Sequence, residues 1–195
     1  SLTDSSYPMH LGIALEQQGV WAKVHGLGLP GHTSRELVEA LDGLDFEVSA
    51  PELVVLLIGT NDSRVDFNHV STPEFIEALN DLVTRLSLIG SVKCGIALCT
   101  LPPVVFVPFH FSADSVARLG AGVNPAIREV GRLRRVPVID LASSFQNEWL
   151  LPGDVHPNET GYREMGRIVA EAIAPWLRLI APLPPTGQLN SAMKI

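Results

Sequence analysis

Cysteine is nearly absent: Cys94 and Cys99 are the only two in 195 residues. They fall in one expected strand, five residues apart, so their side chains point to opposite faces and cannot readily pair. A disulfide framework and a cysteine metal site are thereby excluded, and each thiol reads as a small buried hydrophobe. Basic clusters are equally scarce, with none beyond Arg132 to Arg135, and the formal net charge is -7 with a pI near 5.3. That balance excludes a partner recognised through a phosphate backbone, nucleic acid above all. The longest apolar run, Leu53 to Ile58, is far too short to span a bilayer. No internal repeat is present, which removes solenoids and propellers.

What is there is the composition of a compact fold. The hydrophobic fraction is 46% and the charged fraction 18%, in a length that suits one domain with a substantial core. Strand-length apolar runs alternate with helical patterns, the signature of α/β architecture with a parallel sheet covered on both faces. Helices are expected over Pro8 to Gln18, Ser34 to Leu41, Thr72 to about Leu88, Ser115 to Leu133 and Glu159 to Trp176. Thr72-Pro73-Glu74 is the clearest start, a cap followed by proline at the first helical position. Strands are expected over Trp21 to His25, Leu53 to Ile58, Lys93 to Cys99 and Val136 to Leu141, the second reading as buried on both faces. After Pro102-Pro103 comes an apolar and aromatic stretch, Val104 to Phe111, that fits neither period. Beyond Pro182 the composition turns to Pro, Gly, Gln, Asn and Ser, a linker-like tail, so a domain over residues 1–180 and a tail or connector over 181–195 are expected.

Three short blocks carry chemistry. Ser1-Leu2-Thr3-Asp4 offers a nucleophile, Gly59-Thr60-Asn61-Asp62 an amide donor and Asp154-Val155-His156-Pro157-Asn158 a base with an acid beside it. A serine hydroxyl is weak at its own pKa, so ester chemistry needs a histidine to take its proton and an acid to fix that histidine's tautomer. The developing oxyanion needs preorganised donors, which an Asn side chain and backbone amides supply.

With a further block, Gly28-Leu29-Pro30-Gly31-His32-Thr33, the sequence resembles the SGNH hydrolases, the GDSL-type esterases and lipases, from Ser1 to about Leu177. The first block begins at the Ser of Gly-Asp-Ser-Leu-Thr, and Gly59-Thr60-Asn61-Asp62 is matched in full. The resemblance implies a three-layer αβα sandwich, flavodoxin-like, with about five parallel strands in the order 2-1-3-4-5 and the site at their carboxyl ends. It implies Ser1 as nucleophile, His156 as base, Asp154 as its orienter, and the Gly31 amide and Asn61 side chain as oxyanion donors, joined by the amide of the nucleophile, which needs a peptide bond before Ser1. It implies no metal or organic cofactor. The activity implied is ester hydrolysis through an acyl-enzyme; the apolar Val104 to Phe111 stretch points to small acyl or aryl esters, with a carbohydrate O-acetyl group as the second substrate class, and the truncated first block offers an inactive scaffold as the reading from another class.

Two departures set expectations of their own. The family's acid stands three residues before the histidine, where this sequence has Gly153, and Asp154 stands two before. Either the turn is remade so that Asp154 reaches His156, or a backbone carbonyl orients the ring. The first strand of the sheet is missing or supplied by the C-terminal segment. Ala192-Met193-Lys194-Ile195 reads like the start of a native protein, so a permuted or rejoined chain is one expectation, with Met193 to Ile195 rising between strands 2 and 3 and roughly five residues ending in Gly-Asp lacking before Ser1. A frayed tail is the other.

The remaining candidates stay open. Ser1 at a free amino terminus could use its own α-amine as base. Asn61 could cap a turn, Gly31 could serve a tight turn as well as donate, and Asp62 is expected to brace its loop. His32, Phe106 and Phe109 are expected to line the site, the last two as part of an acyl wall or lid. His10, His25, His69 and His110 have no partner at metal-ligand spacing and read as satisfied polar residues. No signal peptide is visible, and the compartment is weakly constrained, a cytoplasmic one being favoured slightly.

Overall fold

The computed structural model describes residues 6–44, 51–66, 69–89, 94–108 and 110–180. Ser1, Phe109 and the whole tail, with the strand expected of Met193 to Ile195, lie outside the described residues. Seven helices are formed among those described: α1 (Tyr7–Gln17), α2 (Ser34–Ala40), α3 (Thr72–Leu86), α4 (Ala113–Arg118), α5 (Asn124–Arg134), α6 (Leu141–Ser144) and α7 (Glu159–Ile180). Three strands, β1 (Leu53–Leu56), β2 (Gly95–Cys99) and β3 (Val138–Ile139), form one parallel sheet in that order. The register pairs Leu53 with Gly95 and Leu56 with Leu98, then Leu98 with Val138.

The alternation of strand side chains builds two cores. Val54, Leu56, Ile96 and Leu98 face a cluster with Phe75, Leu79 and Leu82 of α3 and Ile127 and Val130 of α5. Leu53, Val55, Ala97 and Cys99 face the opposite cluster, where Leu11 and Leu15 of α1 meet Val169, Ala170 and Ile173 of α7. A sheet apolar on both faces with helices on each is the three-layer αβα sandwich. Cys94 and Cys99 are both buried and free. In the second layer α1 and α7 cross closely at Gly166, where an added Cβ would stand 2.7 Å from backbone atoms of His10 and Leu11.

Helix starts are chemically specified. Ser71, not Thr72, caps α3: its hydroxyl accepts from Glu74 N–H, and Glu74 accepts from Ser71 N–H at 2.8 Å, a capping box that puts Pro73 one position later than the sequence implies. Thr33 and Glu36 repeat the device at α2.

Three expectations change. Residues 21–25 form no strand, and Trp21 is 69% exposed. A strand needs a neighbour for its backbone groups, and in the order 2-1-3-4-5 that neighbour is the first strand, which no described residue forms. The helix expected over Ser115 to Leu133 is broken by a π turn at Leu119–Val123, because Pro125 has no N–H for the regular ladder. The last strand is cut to Val138–Ile139, since the Val136 N–H is spent on Gly131 O and Leu141 already opens α6.

Candidate active site

Each loop at the carboxyl ends of the strands is shaped by a local device. β1 runs into Gly59, whose φ of +126° belongs to glycine, and an added Cβ there would stand 3.0 Å from each of Leu101, Phe75 and Val123. That turn delivers the 3₁₀ helix Asn61–Ser63, closed by Arg64 N–H on Asn61 O at 3.1 Å. Asn61 donates its side-chain N–H to the His32 carbonyl at 3.1 Å, tying it to the Gly31 loop, and Gly31 has φ +79°.

Asp62 is fully buried and braces the two loops. Its carboxylate accepts from the Ser34 N–H at 3.0 Å and from the Ser34 hydroxyl, at the start of α2. Burial pushes its carboxyl above the ordinary range, against the pull of the Ser34 donors and of the Arg118 charge.

After β3 the chain passes through α6 to a closed hairpin. Leu150 bridges Pro157, Leu151 N–H donates to His156 O at 2.9 Å, and Gly153 takes φ +69°. The remade turn answers the displaced acid: Asp154 Oδ1 lies 2.7 Å from His156 Nδ1 and also accepts the Val155 and His156 backbone N–H groups. Burial raises the Asp154 carboxyl, but the hydrogen bonds from His156 and Val155 outweigh it and hold it below the usual carboxylate range. Asn158 then caps α7, accepting from Gly161 N–H while its own amide pins the Glu148 and Leu150 carbonyls.

Gly31, Asn61, Asp154 and His156 line one cavity of about 600 Å³. Its walls are Leu57, Val104, Val107, Phe111 and Met165, with the Tyr7 and Tyr162 rings. Burial raises both phenols, Tyr162 with a further push from the Asp154 charge. The structure thus brings four of the expected site residues together. Two expected lining residues are elsewhere. The His32 ring turns back to the Pro30 carbonyl at 3.1 Å and is not part of the cavity lining, though its backbone oxygen accepts from the Asn61 side chain. Phe106 is 61% exposed and lines an adjoining hollow of about 230 Å³ that shares Val107 and His110 with the main cavity, because the Val107–Phe111 bridge turns the chain so that Val107 and Phe111 line the main cavity instead.

Sequence reasoning missed Tyr7, Arg64 and His110, which also border the cavity. Arg64 donates from Nε to Asp66 at 3.0 Å and lies over the Phe111 ring at 5.9 Å, joining the Asn61 turn to the aromatic loop. The one signal for it was an arginine directly after Gly59-Thr60-Asn61-Asp62-Ser63. Among the described residues no three His, Cys, Asp or Glu side chains gather as a metal site, and no helix is long and apolar enough to cross a membrane.

The model of the GDSL-like lipase/acylhydrolase family matches residues 2–164. An acetylxylan esterase of Xylanibacter ruminicola is 30% identical over an alignment of 150 residues that covers 68% of this chain and 30% of that protein, so the chain spans under a third of this curated relative. Among solved structures, the lipase/acylhydrolase from Enterococcus faecalis superposes with a TM-score of 0.71 at 23% identity, covering 87% of this chain and 85% of that one. A carbohydrate acetylesterase family member from Sinorhizobium meliloti gives 0.72 at 18% identity, covering 91% and 89%. These two share the fold.

Proposed function

Since this chain belongs to the GDSL-like lipase/acylhydrolase family, we propose that it is a serine ester hydrolase working through an acyl-enzyme. The observation that carries the reading is the His156 Nδ1 to Asp154 Oδ1 contact of 2.7 Å on the rim of the cavity that Asn61 and Gly31 also line. With Nδ1 engaged, Nε2 of the neutral ring is the basic nitrogen. In this reading the Ser1 hydroxyl attacks the ester carbonyl carbon as Nε2 takes its proton, and the carbonyl oxygen becomes an oxyanion held by the Asn61 side chain and the Gly31 N–H. Collapse expels the alcohol, to which the imidazolium returns the proton. Water then repeats the sequence on the acyl-enzyme, releasing the carboxylic acid and free serine.

The apolar wall of Val104, Val107 and Phe111 favours small acyl or aryl esters. A carbohydrate O-acetyl group is the second reading, favoured by the acetylxylan esterase relative and the carbohydrate acetylesterase likeness. A p-nitrophenyl ester series of rising chain length, run beside acetylated xylan, separates the two. The hydrolase reading itself is tested by a fluorophosphonate probe: labelling of the wild type and none of Ser1→Ala is expected. A folded wild type that neither labels nor turns over any ester would leave a scaffold.

A further inference from the structure

Asn61 donates in the 3₁₀ turn after β1, and a donor of this kind acts only if it stays aimed at the oxyanion. Three supports meet that turn. Ser34 holds Asp62 from the α2 side. Val123, in the π turn that interrupts the α4 to α5 segment, packs toward Gly59. The third is Arg118, the last residue of α4. Its Nη1 donates to the Arg64 carbonyl at 3.1 Å and to His69 Nδ1 at 2.8 Å; a guanidinium only donates, so this His69 nitrogen accepts. Arg64 in turn closes the turn through its N–H on Asn61 O.

Arg118 is not an ordinary surface cation. Its Nη2 is buried without a hydrogen-bond partner among the described residues, an arrangement that costs free energy. Burial works against its charge, while the Asp62 and Glu74 carboxylates support it. A charge kept at this cost beside a buried carboxylate, with its hydrogen bonds aimed at the exit of the Asn61 turn, is placed to hold that turn.

The geometry points to Arg118 as a positioning residue of the ester-hydrolase site, which fixes the oxyanion donor Asn61 by clamping the Arg64 carbonyl from α4. This rests on the hydrolase reading above. Arg118 touches no substrate in this role; its whole effect passes through Asn61.

The test is a double-mutant cycle on the full chain with p-nitrophenyl acetate, using Arg118→Met, Arg118→Lys, Asn61→Ala and the two Arg118 variants in the Asn61→Ala background. Removing an oxyanion donor outright costs about 10²- to 10³-fold in kcat, so misplacing one is expected to cost about 10- to 100-fold. Arg118→Met should show that loss with KM changed less than about threefold, Arg118→Lys should recover part of it, and in the Asn61→Ala background Arg118→Met should cost less than about threefold. The Asn61 side-chain amide should also shift in the NMR spectrum of Arg118→Lys, the milder change. Equal losses in the two backgrounds, a folded Arg118→Met with kcat within about twofold of wild type, or an unmoved Asn61 amide would each overturn the inference. A wild type without turnover would overturn the hydrolase reading instead, and the Asn61 amide signal alone would then decide whether Arg118 positions it.

Discussion

Gly59→Ala puts one methyl group at the most crowded point beneath the proposed oxyanion turn. The new Cβ would stand 3.0 Å from Leu101 Cδ1, Phe75 Cε2 and Val123 Cγ1, where carbon atoms normally rest about 3.5 to 4.0 Å apart. Phe75 and Val123 are fully buried, and Leu101, though it borders the cavity, is 1% exposed, so retreat is restricted on all three sides. Overpacking of this kind costs about 1 to 3 kcal/mol. The φ of +126° adds backbone strain for a residue with a Cβ, about 1 to 3 kcal/mol more. The sum, about 2 to 6 kcal/mol, is a large share of the roughly 5 to 15 kcal/mol that holds a domain together. With a urea m-value of about 2 kcal/mol per M, the unfolding midpoint should fall by about 1 to 3 M. Val123→Ala should cost less in the Gly59→Ala background than in the wild type, because it vacates one of the three contacts. A midpoint within about 0.3 M of wild type would refute the argument, and additive costs would refute its attribution to crowding.

Asp154→Asn should leave the fold intact and cut kcat by about 10²- to 10⁴-fold in steady-state assays, the side chain having lost the charge that fixes and balances the imidazole. Asp154 is held below the usual carboxylate range, so its interaction stabilises above the ordinary carboxylate pKa and fades as pH falls through its own; at 44% exposure the stability gap to Asp154→Asn should be under about 1 kcal/mol at pH 7 and vanish once pH has fallen below the lowered pKa, read by urea unfolding. Asp62 works with the opposite sign. Its raised pKa means the wild type loses stability relative to Asp62→Asn as pH rises from the ordinary carboxylate range through Asp62's own, and a pH series of urea midpoints should show that slope. Asn158→Ala removes the cap of α7 and frees the Glu148 and Leu150 carbonyls, so thermal unfolding should report a loss of about 1 to 2 kcal/mol.

Legibility in the sequence followed the locality of the cause. The Leu53 to Ile58 run announced a doubly buried strand because both faces are apolar, and it stands as β1 with Val54 and Val55 turned to opposite cores. Glu159 to Trp176 announced α7 by its apolar period, though the helix runs on through Pro175 to Ile180. Residues 21–25 have strand composition, but a strand is a pairing and no single segment reveals whether its neighbour is in place. The π turn at Leu119–Val123 was hidden for a related reason: Pro125 announces a break, while its form depends on packing against the Gly59 turn. In the site, Gly31, Asn61, Asp154 and His156 were readable through the family resemblance of their motifs, and they converge on one cavity. Phe106 and His32 lie outside the main cavity's lining, which alternation through an irregular loop does not reveal, and Arg118 is 57 positions from Asn61 with no pattern linking them.

The crossing of α1 and α7 at Gly166 is also a pivot. α7 starts at Glu159, three residues after His156, so this helix is a stiff arm leading from the proposed base, and α1 is the surface it turns on. Gly166 lies seven residues along α7, about 10 Å from its start at 1.5 Å per residue. On an arm of that length a rotation of about 5° displaces the far end by about 1 Å, and a misplacement of about 1 Å is enough to cost two orders of magnitude in a reaction that depends on aligned atoms. The missing side chain at position 166, which lets the helix backbones touch, therefore acts as the fulcrum of a lever whose load is the placement of His156, the proposed base.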